Sequence, residues 1–383
     1  MSSTLPDSML ADSARDYLQR GYGESVRTAS MADPHGCSAA RWREFAEMGW
    51  LGLAVAESDG GLGGSVHDIC SVAEAMGRAL VVEPFVACAV LGAGILSAAV
   101  DPGLRRAWLP GIVAGRLRLA CAPWEDTTAL DHRRITTQAQ ADSGGHRLRG
   151  HKSLVPGGHG ADAWLLAAHV GDGGELGLFL VPAGAAGLRV VPRTLIDGQH
   201  AVQLDLDGVI AQATLLCAGP DVVLAVLETA LARATVAHCA ETVGAMQRAF
   251  DITLDYLKTR KQFGRTIASN QVVQHRLVDL FVEIEEARAA TYAAAAMLDQ
   301  NPAAETALSR RQVSGAKACV AQAARLVWSE SVQLHGAIGM TDEYVLGSYV
   351  KRLAVATGLY GSLEHHLEQL ACIALDSAAP EPA

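Results

Sequence analysis

Tyr256-Leu257-Lys258-Thr259-Arg260-Lys261-Gln262-Phe263-Gly264-Arg265-Thr266-Ile267, followed by Asn270-Gln271 and then Gln274-His275, is the stretch from which the rest of the chain can be ordered. It stands between two long helical patterns. Before it, apolar residues keep a 3.6-residue period from about Val222 to Tyr256; after it the same period returns from Asn270 to Leu298 and from Thr306 to Leu334. A last helix is predicted near Ser362 to Leu375. Long helices joined by short links make a bundle.

Upstream the pattern changes. Between about Leu119 and Asp221 short alternating runs are separated by glycines: His146–His151, Ala163–Val170, Leu176–Val181 and Gln203–Leu206 read as strands, with turns at Gly144-Gly145, Gly157-Gly158 and Gly171 to Gly174. Further upstream Trp42, Phe45 and Met48 share a helical face ahead of the turn-rich Glu57 to Gly64, and Ile69, Val72, Ala73 and Met76 restart the helical period. Glu83-Pro84 interrupts it, and an apolar helix from about Phe85 to Val100 follows, stopped by Asp101-Pro102-Gly103. The expected architecture is α+β and mainly α. It comprises an N-terminal helical domain (1–118), a small β-domain (119–220) and a C-terminal four-helix bundle (221–383).

Composition narrows the function. A chain of 383 residues exceeds one hydrophobic core, and with half its residues apolar and 19% charged it has ample material for several. Few aromatics and abundant Ala favour close-packed helices. The formal charge of −10 counts against a general nucleic-acid surface, which needs a clustered basic face. The 8 cysteines are scattered from Cys37 to Cys372 without C-x-x-C spacing, so neither a disulfide scaffold nor a metal site is expected. The polar N-terminus has no apolar signal core, and no uninterrupted run of about 18 apolar residues suggests a membrane span. The expected location is cytoplasmic.

The quoted stretch resembles the Y-x-x-x-R-x-x-F-G-x-x-I-x-x-x-Q signature of the acyl-CoA dehydrogenase family. Gln333-Leu334-His335-Gly336-Ala337-Ile338-Gly339-Met340-Thr341 is similar to that family's Q-x-x-G-G-x-G-x-T segment. Leu51 to Gly63 resembles its P-E-x-x-G-G-x-G loop, and Gly150-His151-Lys152 its G-x-K strand, so the likeness runs in order along nearly the whole chain. The resemblance implies FAD as cofactor and α,β-desaturation of an acyl-CoA thioester. It implies that Arg260, Gln262, Phe263, Gln271, Gln333, Gly336 and Ala337 grip the adenosine half of an FAD held mainly by a neighbouring subunit. The chemistry suits the residues: a guanidinium fork answers pyrophosphate oxygens, and glycine lets backbone approach closely. An electron-transfer flavoprotein is the electron acceptor the family suggests. His335 is expected to pack at a helix end with no chemical role.

Two departures stand out. The family's T-E-P-x-x-G-S-D loop, which holds the flavin ring, is matched by Cys121-Ala122-Pro123-Trp124-Glu125-Asp126-Thr127-Thr128, without its Gly-Ser-Asp part. Trp124 reads equally as a cavity plug and as a buried loop anchor. Desaturation also needs a carboxylate to take the α-proton while hydride leaves for the flavin. At the family's two positions for that base this chain has Gly361, in Leu359-Tyr360-Gly361-Ser362, and Ala234. Glu241 lies seven residues after Ala234 on the same helical face, about 10 Å farther along the axis. A Glu inside an apolar helix more often satisfies an internal Arg; Glu364 reads as an exposed helix-start carboxylate. The first reading is therefore the subunit lacking the usual catalytic Glu in a heteromeric complex, resembling the actinobacterial type, with a homologous dehydrogenase subunit as partner in a heterotetramer. The alternatives are a self-sufficient, homo-oligomeric dehydrogenase whose base is Glu241, and a non-redox binding or scaffolding protein on the same fold.

Overall fold

The computed structural model describes residues 9–99, 101–125, 130–143, 145–171, 175–211, 220–302, 307–341 and 343–378. Asp126, Thr127, Thr128, Val100, Thr306, Gly144 and residues 172–174, to which loop, helix-end and turn roles were assigned above, lie outside them. The first third is helical: α1 (Met9–Gly21), α2 (Glu24–Met31), α3 (Ala39–Glu47), α4 (Val66–Arg78), α5 (Ala93–Ser97) and α6 (Pro102–Val113). Ser65 starts α4 with a reciprocal capping box to Asp68. The helix expected over Phe85 to Val100 is split. Phe85–Gly92 winds as a wider π-helix with every residue buried, and only Ala93–Ser97 is α-helical. A Cβ at Gly92 would stand 2.4 Å from the Leu119 carbonyl oxygen, so the next strand passes directly against this turn.

That strand opens the sheet: β1 (Leu119–Ala122), β2 (Gln138–Asp142), β3 (Gly145–Pro156), β4 (Ala163–Val170), β5 (Glu175–Pro182), β6 (Leu188–Thr194) and β7 (His200–Ala211). The order is β1-β4-β2-β3-β7-β6, with β5 pairing antiparallel to β4. β1, β2 and β6 were not anticipated. β1 is buried throughout and does not alternate, while β2, inside the sheet, and β6, at its edge, are mostly exposed or half-exposed with few large apolar residues.

The last third holds α7 (Pro220–Thr259), α8 (Gln271–Gln300), α9 (Ala307–His335), α10 (Leu346–Ala356) and α11 (Leu363–Ala378). The four long helices are the expected bundle. α10 is an addition, packed on α7 and α9. By length and composition α7 would pass for a membrane span, yet it packs on α4, α8 and α9 within the protein. Its contact with α4 is a backbone crossing. A Cβ on Gly77 would meet the Glu241 carbonyl oxygen at 1.7 Å, and one on Gly244 the Glu74 carbonyl oxygen at 1.9 Å. The crossing fixes α7 between the first helices and the bundle. One apolar core accordingly joins the N-terminal helices, the sheet and the first half of α7, while a second fills the bundle around its other half.

Candidate functional site

The quoted stretch folds as a helix end and a hairpin. α7 stops where the Arg260 N–H donates to the Tyr256 carbonyl, and Lys261–Gln262 (β8) pairs antiparallel with Arg265–Thr266 (β9). Phe263 and Gly264 make the two-residue turn, with φ of 51° and 80°. Two successive positive φ values define a type I′ hairpin, in which a bulky first residue is strained. The Phe263 ring gains no burial in return, being fully exposed. An aromatic held on a strained turn without a packing partner is built to meet something outside the chain.

The second motif lies at the same end of the bundle. Tyr256 and His335 stack with centroids 4.4 Å apart, and the Tyr256 hydroxyl donates to the His335 carbonyl at 3.3 Å, which ties the end of α7 to the end of α9. His335 is buried and also reaches the Ser331 carbonyl, matching its expected packing role. After it Gly336 takes φ 67°, with open space where a Cβ would be. Arg260, Gln262, Phe263, Gln271, Gln333, Gly336 and Ala337 are all exposed, and the Tyr256–His335 stack joins the two helix ends beside which the motifs stand. These residues offer a cation, amides, an apolar ring and a bare backbone turn, the donor set an adenosine pyrophosphate needs.

A separate groove of about 650 Å³ runs between the sheet and the bundle. Its walls include Trp124, Arg133, Leu231, Arg310, Ser362 and His365. None of those exposed residues is among its described lining residues. Trp124 also walls a small chamber of about 40 Å³ behind the groove, and Tyr360 walls that chamber and a second one of similar size. Trp124 therefore lines space and anchors its loop at once. The anchor is Glu125, whose carboxylate accepts from the backbone and hydroxyls of Thr136 and Thr137. Burial pushes that carboxyl up, but these hydrogen bonds and Lys152 outweigh it and bring it down to about 2. Lys152 itself is buried, donates to the Ala167 carbonyl and is lowered by burial to about 8.

The candidate base positions separate. Ala234 is fully buried on α7. Gly361 has no side chain to offer and sits at φ 90°; the side chains that this loop sends to the chambers are Leu359 and Tyr360, residues the sequence reading quoted without using. Glu241 lines the second chamber but is engaged. It meets His238 Nδ1 at 3.3 Å and Arg352 Nη1 at 3.1 Å, while Arg352 Nε donates to Asp197 at 2.7 Å and Nη1 to the Val81 carbonyl. Burial raises the Glu241 carboxyl, yet His238 and Arg352 overcome this and hold it below its ordinary value. A carboxylate stabilised in this way is a weaker proton acceptor. Glu364 is an exposed residue in the first turn of α11, paired with Arg325.

Family models place this arrangement. Residues 6–116 match the acyl-CoA dehydrogenase N-terminal domain and residues 224–375 the acyl-CoA dehydrogenase C-terminal domain. The acyl-CoA dehydrogenase FadE12 of Mycobacterium tuberculosis is 30% identical over 328 residues, covering 82% of each chain. The chain belongs to the acyl-CoA dehydrogenase family. Among solved structures, a variant of the Tcur3481–Tcur3483 steroid ACAD matches this acyl-CoA dehydrogenase with a TM-score of 0.84 and 29% identity, over 97% of this chain and 98% of that one. The ChsE4–ChsE5 complex from Mycobacterium tuberculosis matches with a TM-score of 0.84 and 26% identity over the full length of both. The matched fold is that of a flavoprotein, and the resemblance implies that the exposed residues around Arg260 and Phe263 fit FAD's adenosine half.

Arg260→Ala tests that fit. In a correctly assembled oligomer the loss of charge-assisted contacts to pyrophosphate should weaken FAD retention by about 10- to 100-fold. Flavin release on dilution, followed by fluorescence, measures it; unchanged retention would remove Arg260 from the grip.

Proposed function

We infer that this acyl-CoA dehydrogenase-type flavoprotein is the subunit of a heteromeric complex that lacks the usual catalytic Glu. It lends its adenosine grip to an FAD held mainly by a homologous subunit that carries the base. The observation that carries this reading is the split between the two halves of the site. The residues resembling the grip are exposed and do not line the chain's own groove, whereas the base positions hold Ala234 and Gly361, and Glu241 is engaged with Arg352. The two-component complexes among the matched structures support it. The substrate of the complex is an acyl-CoA thioester of fatty-acid or steroid breakdown, the electron acceptor an electron-transfer flavoprotein, and the compartment the cytoplasm.

Assembly is part of the reading. Val272, Val278, Phe281 and Val282 on α8, with Ile338 and Met340 beyond α9, are large apolar side chains left exposed. Such a surface suits burial against another subunit. Expression of the chain alone should give little bound flavin, and co-expression with a neighbouring dehydrogenase gene should give a yellow oligomer. Flavin stoichiometry and sedimentation measure both; a stable, flavin-loaded monomer would contradict the reading.

A further inference from the structure

Two histidines meet where the N-terminal helices touch the sheet. His159 lies in the turn between β3 and β4, and His200 opens β7; their ring centroids are 5.2 Å apart at an interplanar angle of 68°, with Nδ1 facing Nδ1 at 3.4 Å. The tautomer of one ring is fixed. A carbonyl can only accept, so His200 Nε2, 2.9 Å from the Met31 carbonyl at the end of α2, carries the proton of the neutral ring and leaves a bare lone pair on Nδ1. The other ring is held by its neighbours. Arg118 Nη1 donates to the His159 carbonyl at 3.3 Å, and Gly36, at φ 70°, brings backbone so close that a Cβ there would stand 2.9 Å from His159 Nδ1. Burial, and then His200, Arg118 and His35, push the His159 imidazole below its ordinary value, although Asp33 opposes them. The ring is therefore neutral at neutral pH, the form that ligates a metal.

A spacing of 3.4 Å is long for a hydrogen bond between two ring nitrogens. It is the spacing two imidazoles adopt on one tetrahedral Zn²⁺, where bonds of about 2.0–2.1 Å at the tetrahedral angle put the nitrogens about 3.3–3.4 Å apart. His200 also has the outer partner a ligating histidine needs, its second nitrogen being tied to a backbone carbonyl. We propose that His159 Nδ1 and His200 Nδ1 together bind one Zn²⁺ ion, which clips the β3–β4 turn and the end of α2 to the start of β7. Among the described residues no three His, Cys, Asp or Glu side chains group as metal ligands, so water completes the coordination and the ion stays exchangeable. Both rings are only half-buried, which lets an ion reach them from solvent. The metal polarises the His200 N–H and tightens its hold on Met31. In the turn just before His200, Asp197 accepts from Arg352 Nε, so the clip also steadies that buried ion pair.

Titration calorimetry with zinc chloride tests the pair, on the full-length chain stripped of metal by a chelator and on its co-expressed assembly. Wild type should bind one equivalent of Zn²⁺ and gain in Tm as it does so. His159→Gln and His200→Gln should each weaken binding by roughly 100-fold or more, since losing even an outer partner of a ligating histidine costs about 10–100-fold. His35→Gln, at an exposed histidine of the adjoining segment, should leave it unchanged. No binding by wild type, or binding undiminished in both pair variants, would overturn the proposal and leave the two rings as a long hydrogen-bonded pair. A loss in His35→Gln as large as in the pair variants would also overturn it, by moving the ion to the exposed loop. If the variants fail to fold, anomalous scattering from zinc-soaked crystals of wild type decides: a peak within bonding distance of both Nδ1 atoms is expected, and none there refutes the site. Neither flavin nor thioester enters these measurements, so their outcome is independent of the base-deficient reading.

Discussion

Tyr360→Glu is expected to raise acyl-CoA-dependent flavin reduction by about 10²–10⁴-fold over wild type, the usual contribution of a general base. Tyr360 lines both chambers, as does Leu359 before it, and it already occupies the left-handed backbone conformation, so Glu adds no new strain there. The family alignment would instead suggest Gly361→Glu. That variant is disfavoured twice: Gly361 sits at φ 90°, and a Cβ there would stand 2.5 Å from His366 Nε2. It should lose stability and gain nothing. Stopped-flow reduction of the chain alone, reconstituted with excess FAD and without a base-bearing homologue, compares the two; a Tyr360→Glu protein that binds both FAD and acyl-CoA yet reduces no faster would show that this loop does not face the α-carbon.

Arg352→Met should cost about 3–5 kcal/mol of stability, because it leaves carboxylates buried without their counter-charge. Arg352 is almost fully enclosed and joins Asp197 of the β6–β7 turn to Glu241 of α7, so the loss falls where sheet, α7 and α10 meet. The pH dependence follows from the direction of the Glu241 shift. In wild type the folded carboxyl lies below its unfolded value, so its contribution is present above the ordinary carboxylate range and is lost as pH falls through the depressed folded value. Without Arg352 burial dominates and raises the carboxyl instead, so the variant should regain stability as the pH falls and Glu241 takes up a proton. Urea midpoints of both proteins from neutrality to about pH 4 measure the difference. A loss under about 1 kcal/mol would mean that water or another cation compensates the pair.

The overall architecture was legible because it rests on signals that add along the chain. The periods of α7, α8 and α9 run for tens of residues, and the R-x-x-F-G and Q-x-x-G spacings mark where α7 and α9 end. The residues proposed for the adenosine grip could be named for the same reason: they are local to two helix ends, which the Tyr256–His335 stack joins. What escaped was non-local. β1 has four buried residues and no alternation, and the π-helical turn at Phe85–Gly92 has no polar face to betray its winding. Arg352, Asp197 and the His238–Glu241 pair of α7 are far apart in sequence and meet only when sheet and helices pack. The expectation that an internal Glu satisfies an Arg foretold the type of contact, but no local pattern named Arg352. Tyr360 stood beside the residue given attention, and only the loop's left-handed turn determines which of the two carries a side chain to the chambers.

The central claim is that this chain has no base of its own. Stopped-flow flavin reduction by a panel of short, branched and steroid-like acyl-CoAs tests it, using the chain alone, the chain co-expressed with a base-bearing homologue, and Glu241→Gln in each background. The account predicts slow or absent reduction by the chain alone, fast reduction by the co-expressed complex, and little effect of Glu241→Gln on either. Fast reduction by the chain alone, abolished in Glu241→Gln with FAD still bound, would contradict it and make Glu241 the catalytic residue.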